Sequence, residues 1–297
     1  MAIINYPVCP GCGADAIRQQ FTVEDFTVSH QAFGIWECGH CSLRFTQDIP
    51  DAASIGPYYR SDSYVSHTDT KKGLVNRLYH IVRKRTLRRK CALIKRQTGM
   101  ASGRLLDIGA GTGAFAQTMQ HAGWQVTGLE PDSDTRLRAK DLHGVALLPA
   151  EALFQLPEAS FDAITMWHVL EHVHDLHGYM TQIKRLLTPN GRIFIAVPNY
   201  TSYDAGYYRQ FWAAYDVPRH LYHFSPASIH CLLEKYQLQL ADCKPMWFDS
   251  IYVSMLSWSY KTGRNNFIRS SWVGLLSNVH ALFNRQRCSS LIYIARK

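Results

Sequence analysis

From residue 104 onward, short unbroken apolar runs alternate with stretches whose apolar residues recur every three or four positions. Arg104 to Ile108, Gln125 to Glu130, Val145 to Leu148, Phe161 to Trp167 and Arg192 to Val197 read as strands. Stretches starting at Gly113 and Ser133, and from Leu176 to Leu187, read as helices. Strands that alternate with helices predict a parallel sheet covered on both faces. A further helix begins at Ser225, an N-cap residue with Pro226 in the first turn. Gln239 to Met246 and Leu291 to Ala295 read as two more strands. Between them Trp272, Leu275, Leu276, Val279, Leu282 and Phe283 recur at helical steps, flanked by Arg264, Arg269, Arg285 and Arg287. Such a helix fits a membrane surface or a cover over an apolar ligand, and equally a face packed on its own sheet or on a second subunit.

Upstream the pattern changes. Phe21, Val23, Phe26, Val28 and Phe33 to Trp36 predict the strands of a small β ribbon. Asp48 to Thr70, with Gly56-Pro-Tyr-Tyr and Ser61-Asp-Ser-Tyr64, reads as an irregular connector. Leu74, Leu78, Ile81, Val82, Leu93 and Ile94 then predict a helix within Lys71 to Gln97.

The 297 residues are 46% hydrophobic and leave room for a substantial core. No apolar run reaches the ~18 residues of a membrane span. Met1 to Cys9 has neither a basic region nor a small-residue cleavage site, so a cytoplasmic location is expected. The net charge of +9 is uneven, since Lys71 to Arg96 holds eleven Lys or Arg and no acid. That run is the solvated face of a packed helix, or a patch for phosphate, RNA or the inner face of an anionic membrane.

Cys9-Pro-Gly-Cys12 and Cys38-Gly-His-Cys41 are two Cys-x-x-Cys turns 25 residues apart, each offering two thiolates from a tight loop. Together they match a closed Cys₄ zinc site, structural because no coordination position stays open, with a redox Cys-x-x-Cys pair or two disulfides as the competing readings. His40 is a spare residue of the second turn. Cys91, Cys231, Cys243 and Cys288 stand singly among apolar neighbours, as packed thiols do.

The chemistry centres on Asp107-Ile-Gly-Ala-Gly-Thr-Gly-Ala-Phe115, which closes the first sheet strand. Alternate glycines let a ligand approach the backbone, and Glu130 stands where an acid takes ribose hydroxyls in dinucleotide folds. Asp107 separates the readings. A carboxylate at the strand end repels pyrophosphate and attracts a cation, and S-adenosylmethionine brings an ammonium, a sulfonium and a ribose diol. With Phe161 to Trp167, His168-Val-Leu-Glu171-His172 and Leu186-Leu-Thr-Pro-Asn-Gly191 following in order, residues 104 to 198 resemble a class I S-adenosylmethionine-dependent methyltransferase.

The resemblance implies an α/β fold with a doubly wound, seven-stranded Rossmann-like sheet, here preceded by a small zinc ribbon and carrying helical insertions. Residues 1–48 would be the ribbon, 49–98 the connector and basic helix, and 99–297 the methyltransferase domain, with insertions at 199–222 and 248–290. It further implies that Asp107, Ile108, Gly109, Ala110 and Gly111 face the methionine portion. Leu129, Pro131, Ala150 and Glu151 would flank the adenine, with Glu130 on the ribose and Trp167 and His168 beside the cofactor.

A hydroxyl acceptor must lose a proton, and histidine is the natural base near neutral pH. His168, His220 and His223 are the candidates, the latter two in an aromatic-rich stretch with Arg219, which pairs with a substrate anion or with an acid of its own fold. In ubiquinone-type O-methyltransferases the corresponding turn has an acid where His168 stands and can hold a divalent metal, a pattern this replacement interrupts. The expected activity is methylation of a small molecule, at a hydroxyl of a glycan, a lipid-linked intermediate or a quinone-like ring. RNA methylation guided by the ribbon and basic helix is a second reading, and a non-catalytic binding protein of the same fold a third.

Overall fold

A computed structural model describes residues 2–59 and 74–297. Residues 60–73, which include Ser61 to Tyr64 of the connector and Lys71, lie outside the described residues, as do the side chains of Leu74, Leu78, Ile81 and Val82.

Strand β1 (Ile3–Ile4) is followed by β2 (Ile17–Glu24), β3 (Ala32–Cys38), β4 (Arg44–Thr46) and β5 (Ile49–Pro50), the last paired with β1. Phe26 and Val28, expected on strands, lie instead in the turn joining β2 to β3. Asp25 dictates this turn, because its carboxylate accepts the N–H groups of Thr27, Val28 and Ser29 and so closes the chain on itself. Helix α1 (Leu74–Thr98) precedes β6 (Arg104–Ile108), α2 (Ala114–His121), β7 (Gln125–Leu129) and α3 (Ser133–His143). Asp132 caps α3 by accepting the Thr135 N–H at 2.7 Å, and Gly144, at φ 67°, ends it in the left-handed conformation that suits glycine.

Then come β8 (Phe161–Trp167), α4 (Leu176–Leu186), β9 (Leu187–Pro198), α5 (Tyr203–Tyr208), β10 (Tyr222–His223) and α6 (Pro226–Lys235). Helix α6 begins as its sequence foretells, with Ser225 and Ser228 forming a reciprocal capping box. The chain closes with β11 (Gln239–Pro245), α7 (Asp249–Thr262), α8 (Phe267–Phe283) and β12 (Ser290–Arg296).

The fold is α/β, with a mixed sheet ordered β11-β12-β9-β8-β6-β7 and both β7 and β8 parallel to β6. Six strands are present among the described residues where seven were expected. The missing one, Val145 to Leu148, survives as a single bridge between Leu148 and Leu129. Its first residue spends its N–H on Ala139 at the end of α3, and Pro149, which has no N–H, follows its last.

By contacts the described residues divide into two units. One gathers residues 74–167, Met180–Ile195 and Ile294–Lys297; the other gathers residues 2–59, His168–Tyr179 and Ala196–Tyr293. In the second unit a four-stranded sheet runs β10-β4-β3-β2, so Tyr222 and His223 extend the N-terminal ribbon. Its core is aromatic, with Phe33, Tyr58, Tyr200, Tyr208, Trp212 and Tyr215 buried together.

Arg219 is buried beside this core at 1% exposure. Its Nη2 donates to Asp25 at 3.0 Å and to Asp216 at 2.6 Å, and its Nη1 donates to the Tyr58 carbonyl at 2.8 Å. Of the two partners expected for it, an acid of its own fold is the one found. Burial alone would raise the Asp25 carboxyl, but the Ser29 N–H and the Arg219 charge outweigh it and bring it down to about 2. The stabilisation from this carboxylate is therefore complete above about pH 4, the ordinary range, and is lost as the pH falls toward about 2. Arg219→Met strands a buried carboxylate and is expected to lower stability by about 3–5 kcal/mol in urea unfolding at pH 7. A loss under about 1 kcal/mol would mean that this charge is solvated.

Candidate functional site

Strand β6 ends with Asp107 and Ile108, and the chain then turns through Gly109, Gly111 and Gly113, all at positive φ. Gly111 is the position where this matters, since its φ of 54° aims its N–H at the Glu130 carboxylate, 2.9 Å away. Ala110 donates to the Leu129 carbonyl at 2.8 Å, tying the loop to the end of β7. Gly128 packs against the Leu147 side chain and Ala110, which leaves little room for a Cβ unless Leu147 shifts.

Two carboxylates thus flank the glycine loop. Asp107 is 1% exposed and accepts from the Thr165 hydroxyl at 2.6 Å. Burial pushes its carboxyl up to about 7, against the opposing pull of Thr165 and the Lys90 charge. Glu130 accepts from Gly111 and, at 3.2 Å, from the Asp132 N–H. Its carboxyl is raised by burial and lowered in turn by those two donors. A buried carboxylate near neutrality is poised to gain from an arriving cation.

Trp167 closes β8 with its ring edge-on to Phe115 at 5.4 Å. The Lys90 ammonium from α1 stands 4.0 Å over the same ring, and Arg83, one basic residue earlier on that helix face, reaches the Thr112 hydroxyl of the glycine loop at 3.4 Å. Sequence reasoning took the basic run as a whole and missed these two; their seven-residue spacing, two helical turns, was the available signal. Ala150 and Glu151 open the short 3₁₀ turn Ala150–Phe154, with Glu151 and Pro131 exposed and Leu129 and Ile108 buried.

The histidines belong to the other unit. His168, at φ 58°, has Nδ1 3.4 Å from Glu171 and Nε2 3.1 Å from Asp249. Desolvation pulls its pKa down, but Asp249 and Glu171 outweigh this and push it up to about 9. His172 Nδ1 donates to the Arg219 carbonyl at 2.9 Å, and its ring meets His220 edge-on at 4.5 Å. Burial and that neighbour bring His172 down to about 4. His220 Nδ1 donates to the Ala214 carbonyl at 2.8 Å, which leaves Nε2 as the basic nitrogen. His223 is buried at the ribbon, with Nε2 3.1 Å from the Thr46 hydroxyl, and desolvation carries it well below its ordinary value.

Among the described residues, two groups have donor atoms close enough to hold a metal ion. Glu171, His172 and His220 form one. Cys9, Cys12, Cys38 and Cys41 form the other, with Cys9 to Cys41 and Cys12 to Cys38 each 3.6 Å apart. Tetrahedral thiolates at ~2.3 Å from a common zinc lie about 3.8 Å from one another, so these four sulfurs fit such an ion. Backbone N–H groups of Gly11 and His40 point at the Cys9 and Cys38 sulfurs, as expected of loops that carry thiolates.

The chain is similar to several known proteins. A ubiquinone biosynthesis O-methyltransferase of Xanthomonas oryzae pv. oryzae is 29% identical over 164 residues, covering 50% of this chain and 68% of the relative. A demethylmenaquinone methyltransferase of Tropheryma whipplei is 28% identical over 139 residues, covering 45% and 58%. The solved structure of a SAM-dependent methyltransferase from Archaeoglobus fulgidus aligns with a TM-score of 0.48 at 18% identity, covering 74% of this chain and all (100%) of that one. The family model of the methyltransferase domain matches residues 81–242, more than half of the chain. The chain belongs to this methyltransferase family and is an S-adenosylmethionine-dependent enzyme.

Proposed function

We propose that this enzyme transfers the methyl group of S-adenosylmethionine to a hydroxyl of a small, quinone-like acceptor. The observation that carries the reading is the likeness to a ubiquinone biosynthesis O-methyltransferase across half of the chain. The carboxylate pair at the glycine loop supports the donor half.

In this reading Asp107 balances the positive charge of the donor, Glu130 takes the ribose hydroxyls, and the backbone from Ile108 to Gly111 lines the methionine portion. Leu129, Pro131, Ala150 and Glu151 flank the adenine, while Trp167, stiffened by Phe115 and Lys90, walls the cofactor. The bound cofactor supplies an electrophilic methyl on a sulfonium. The protein's own work is to hold the donor, exclude water and accept a proton.

Of the three histidines expected as bases, His220 has the fitting tautomer, with Nδ1–H committed to Ala214 and Nε2 left basic. His168, held by two carboxylates, enters as a cation and serves charge balance. His223 is committed to the ribbon through Thr46. The four cysteines hold a structural zinc, whose charge keeps the ends of β2 and β3 together.

Three outcomes test this assignment. Calorimetric titration with S-adenosylmethionine is expected to show affinity falling about tenfold from pH 8 to pH 6, because protonation of Asp107 near pH 7 competes with the cation. Asp107→Asn should flatten that dependence, and an unchanged slope would remove Asp107 from the site. In a second measurement, S-adenosylhomocysteine release with a hydroxylated quinol as acceptor should fall by about 10²–10⁴-fold in His220→Ala, with donor affinity kept. Methylation of glycan acceptors but not quinols would refute the acceptor class. Third, elemental analysis should find a single zinc per chain, absent from Cys38→Ser, and chelation under reducing conditions should lower the melting temperature. A metal-free protein with the same melting temperature would exclude the zinc.

A further inference from the structure

Helix α8 is inverted. On a helix of 3.6 residues per turn, Ile268, Trp272, Leu275, Val279, Leu282 and Phe283 fall within about 100° of arc. All six are exposed, Ile268 at 80% and Phe283 at 88%. The opposite arc, which is buried, carries Ser270, Val273, Gly274, Ser277 and Ala281. Small and polar residues face inward and large apolar ones face solvent, the reverse of a soluble surface helix.

The inner face is not a misplaced outer one, because polar bonds fix its register. Ser277 donates to the buried Asp204 carboxylate at 2.7 Å, and Ser257 of α7 accepts the Ala213 N–H at 2.8 Å. Helix α7 likewise buries only Ser250, Ser254 and Ser257. The two helices meet through these small residues so closely that a Cβ on Gly274 would lie 2.7 Å from the Ile251 Cα. Small-residue seams with bulky apolar residues outward are how helices pair where the surroundings are hydrocarbon. Neither helix among the described residues is long and apolar enough to cross a membrane. A helix of about 25 Å lying in the plane of one leaflet meets both conditions.

Charge selects the occupant. From residue 250 to the last residue, 297, there is no Asp or Glu, while Lys261, Arg264, Arg269, Arg285 and Arg287 cluster at the two ends of α8. A second copy of this face would bring like charges together; an anionic headgroup layer would neutralise them. We propose that the α7–α8 hairpin is a monotopic docking surface for an anionic lipid bilayer, with the α8 stripe inserted among the acyl chains and the basic residues at the phosphates. The donor site plays no part in this inference, and vesicles without any acceptor test it independently of the acceptor class.

Flotation with vesicles of phosphatidylcholine alone, and of phosphatidylcholine with phosphatidylglycerol, reads the partitioning directly. The wild-type chain should float with the anionic vesicles. Ile268→Ser, Trp272→Ser, Leu282→Ser and Phe283→Ser combined should weaken this at least ~100-fold, with circular dichroism and donor binding unchanged because all four side chains are exposed. Arg264→Gln, Arg269→Gln and Arg285→Gln combined should reduce partitioning into anionic vesicles by about 100-fold. The proposal is overturned if the wild type floats with neither vesicle, if the serine variant floats as the wild type does, or if sedimentation shows a wild-type dimer that the serine variant dissolves.

Discussion

Much of the unit that contains the N-terminal ribbon depends on one guanidinium. Arg219 lies out of water and must place its N–H groups on protein acceptors, and it finds them on three separate stretches of chain: Asp25 in the ribbon turn, the Tyr58 carbonyl and its own neighbour Asp216. An unpaired charge in that position would cost several kcal/mol, so the three stretches are bound to adopt their places together. The same residue's carbonyl accepts from His172, and the next residue is His220. The histidine cluster therefore inherits its geometry from a buried ion pair.

At the glycine loop the governing constraint is different. Asp107 is buried at the end of a sheet strand with one hydroxyl donor and a distant ammonium, too little to hold a full negative charge comfortably. Such a group is an electrostatic deficit awaiting a cation, which is why a positively charged donor suits the site better than a pyrophosphate. Glu130, by contrast, already receives two backbone N–H groups, so the proposed ribose contact would join an existing set of bonds.

The sheet was legible because its signals are local: apolar runs, the Asp132 and Ser225 caps, and a glycine loop that fits one place in the fold. What was illegible depended on pairing across long intervals. Nothing in the neighbourhood of Phe26 announces that Asp25 will accept three N–H groups and fold the strand into a turn. Val145 to Leu148 has a strand's composition, and only the competition from the end of α3 reduces it to one bridge. Lys90 and Arg83 belong to a basic run whose sequence does not say which members face inward, and only the helix aims them at Trp167 and Thr112. For α8 the helical period was correct, but periodicity carries no sign. It finds an apolar face without saying whether that face looks in or out.

The pairing of β10 with β4 joins residues that lie far apart in the chain, with His223 bonded to Thr46 across 177 positions. Synthesis proceeds from the N-terminus, so β4 emerges long before its partner strand exists. Until then it presents an open edge, and a ribbon of three short strands must wait with its aromatic face uncovered. Gathering the four thiolates around the proposed zinc would be a local event, confined to Cys9 to Cys41. The cysteine cluster is thereby suited to act early, as a clamp that keeps the nascent ribbon in shape until the far segment arrives to complete the sheet.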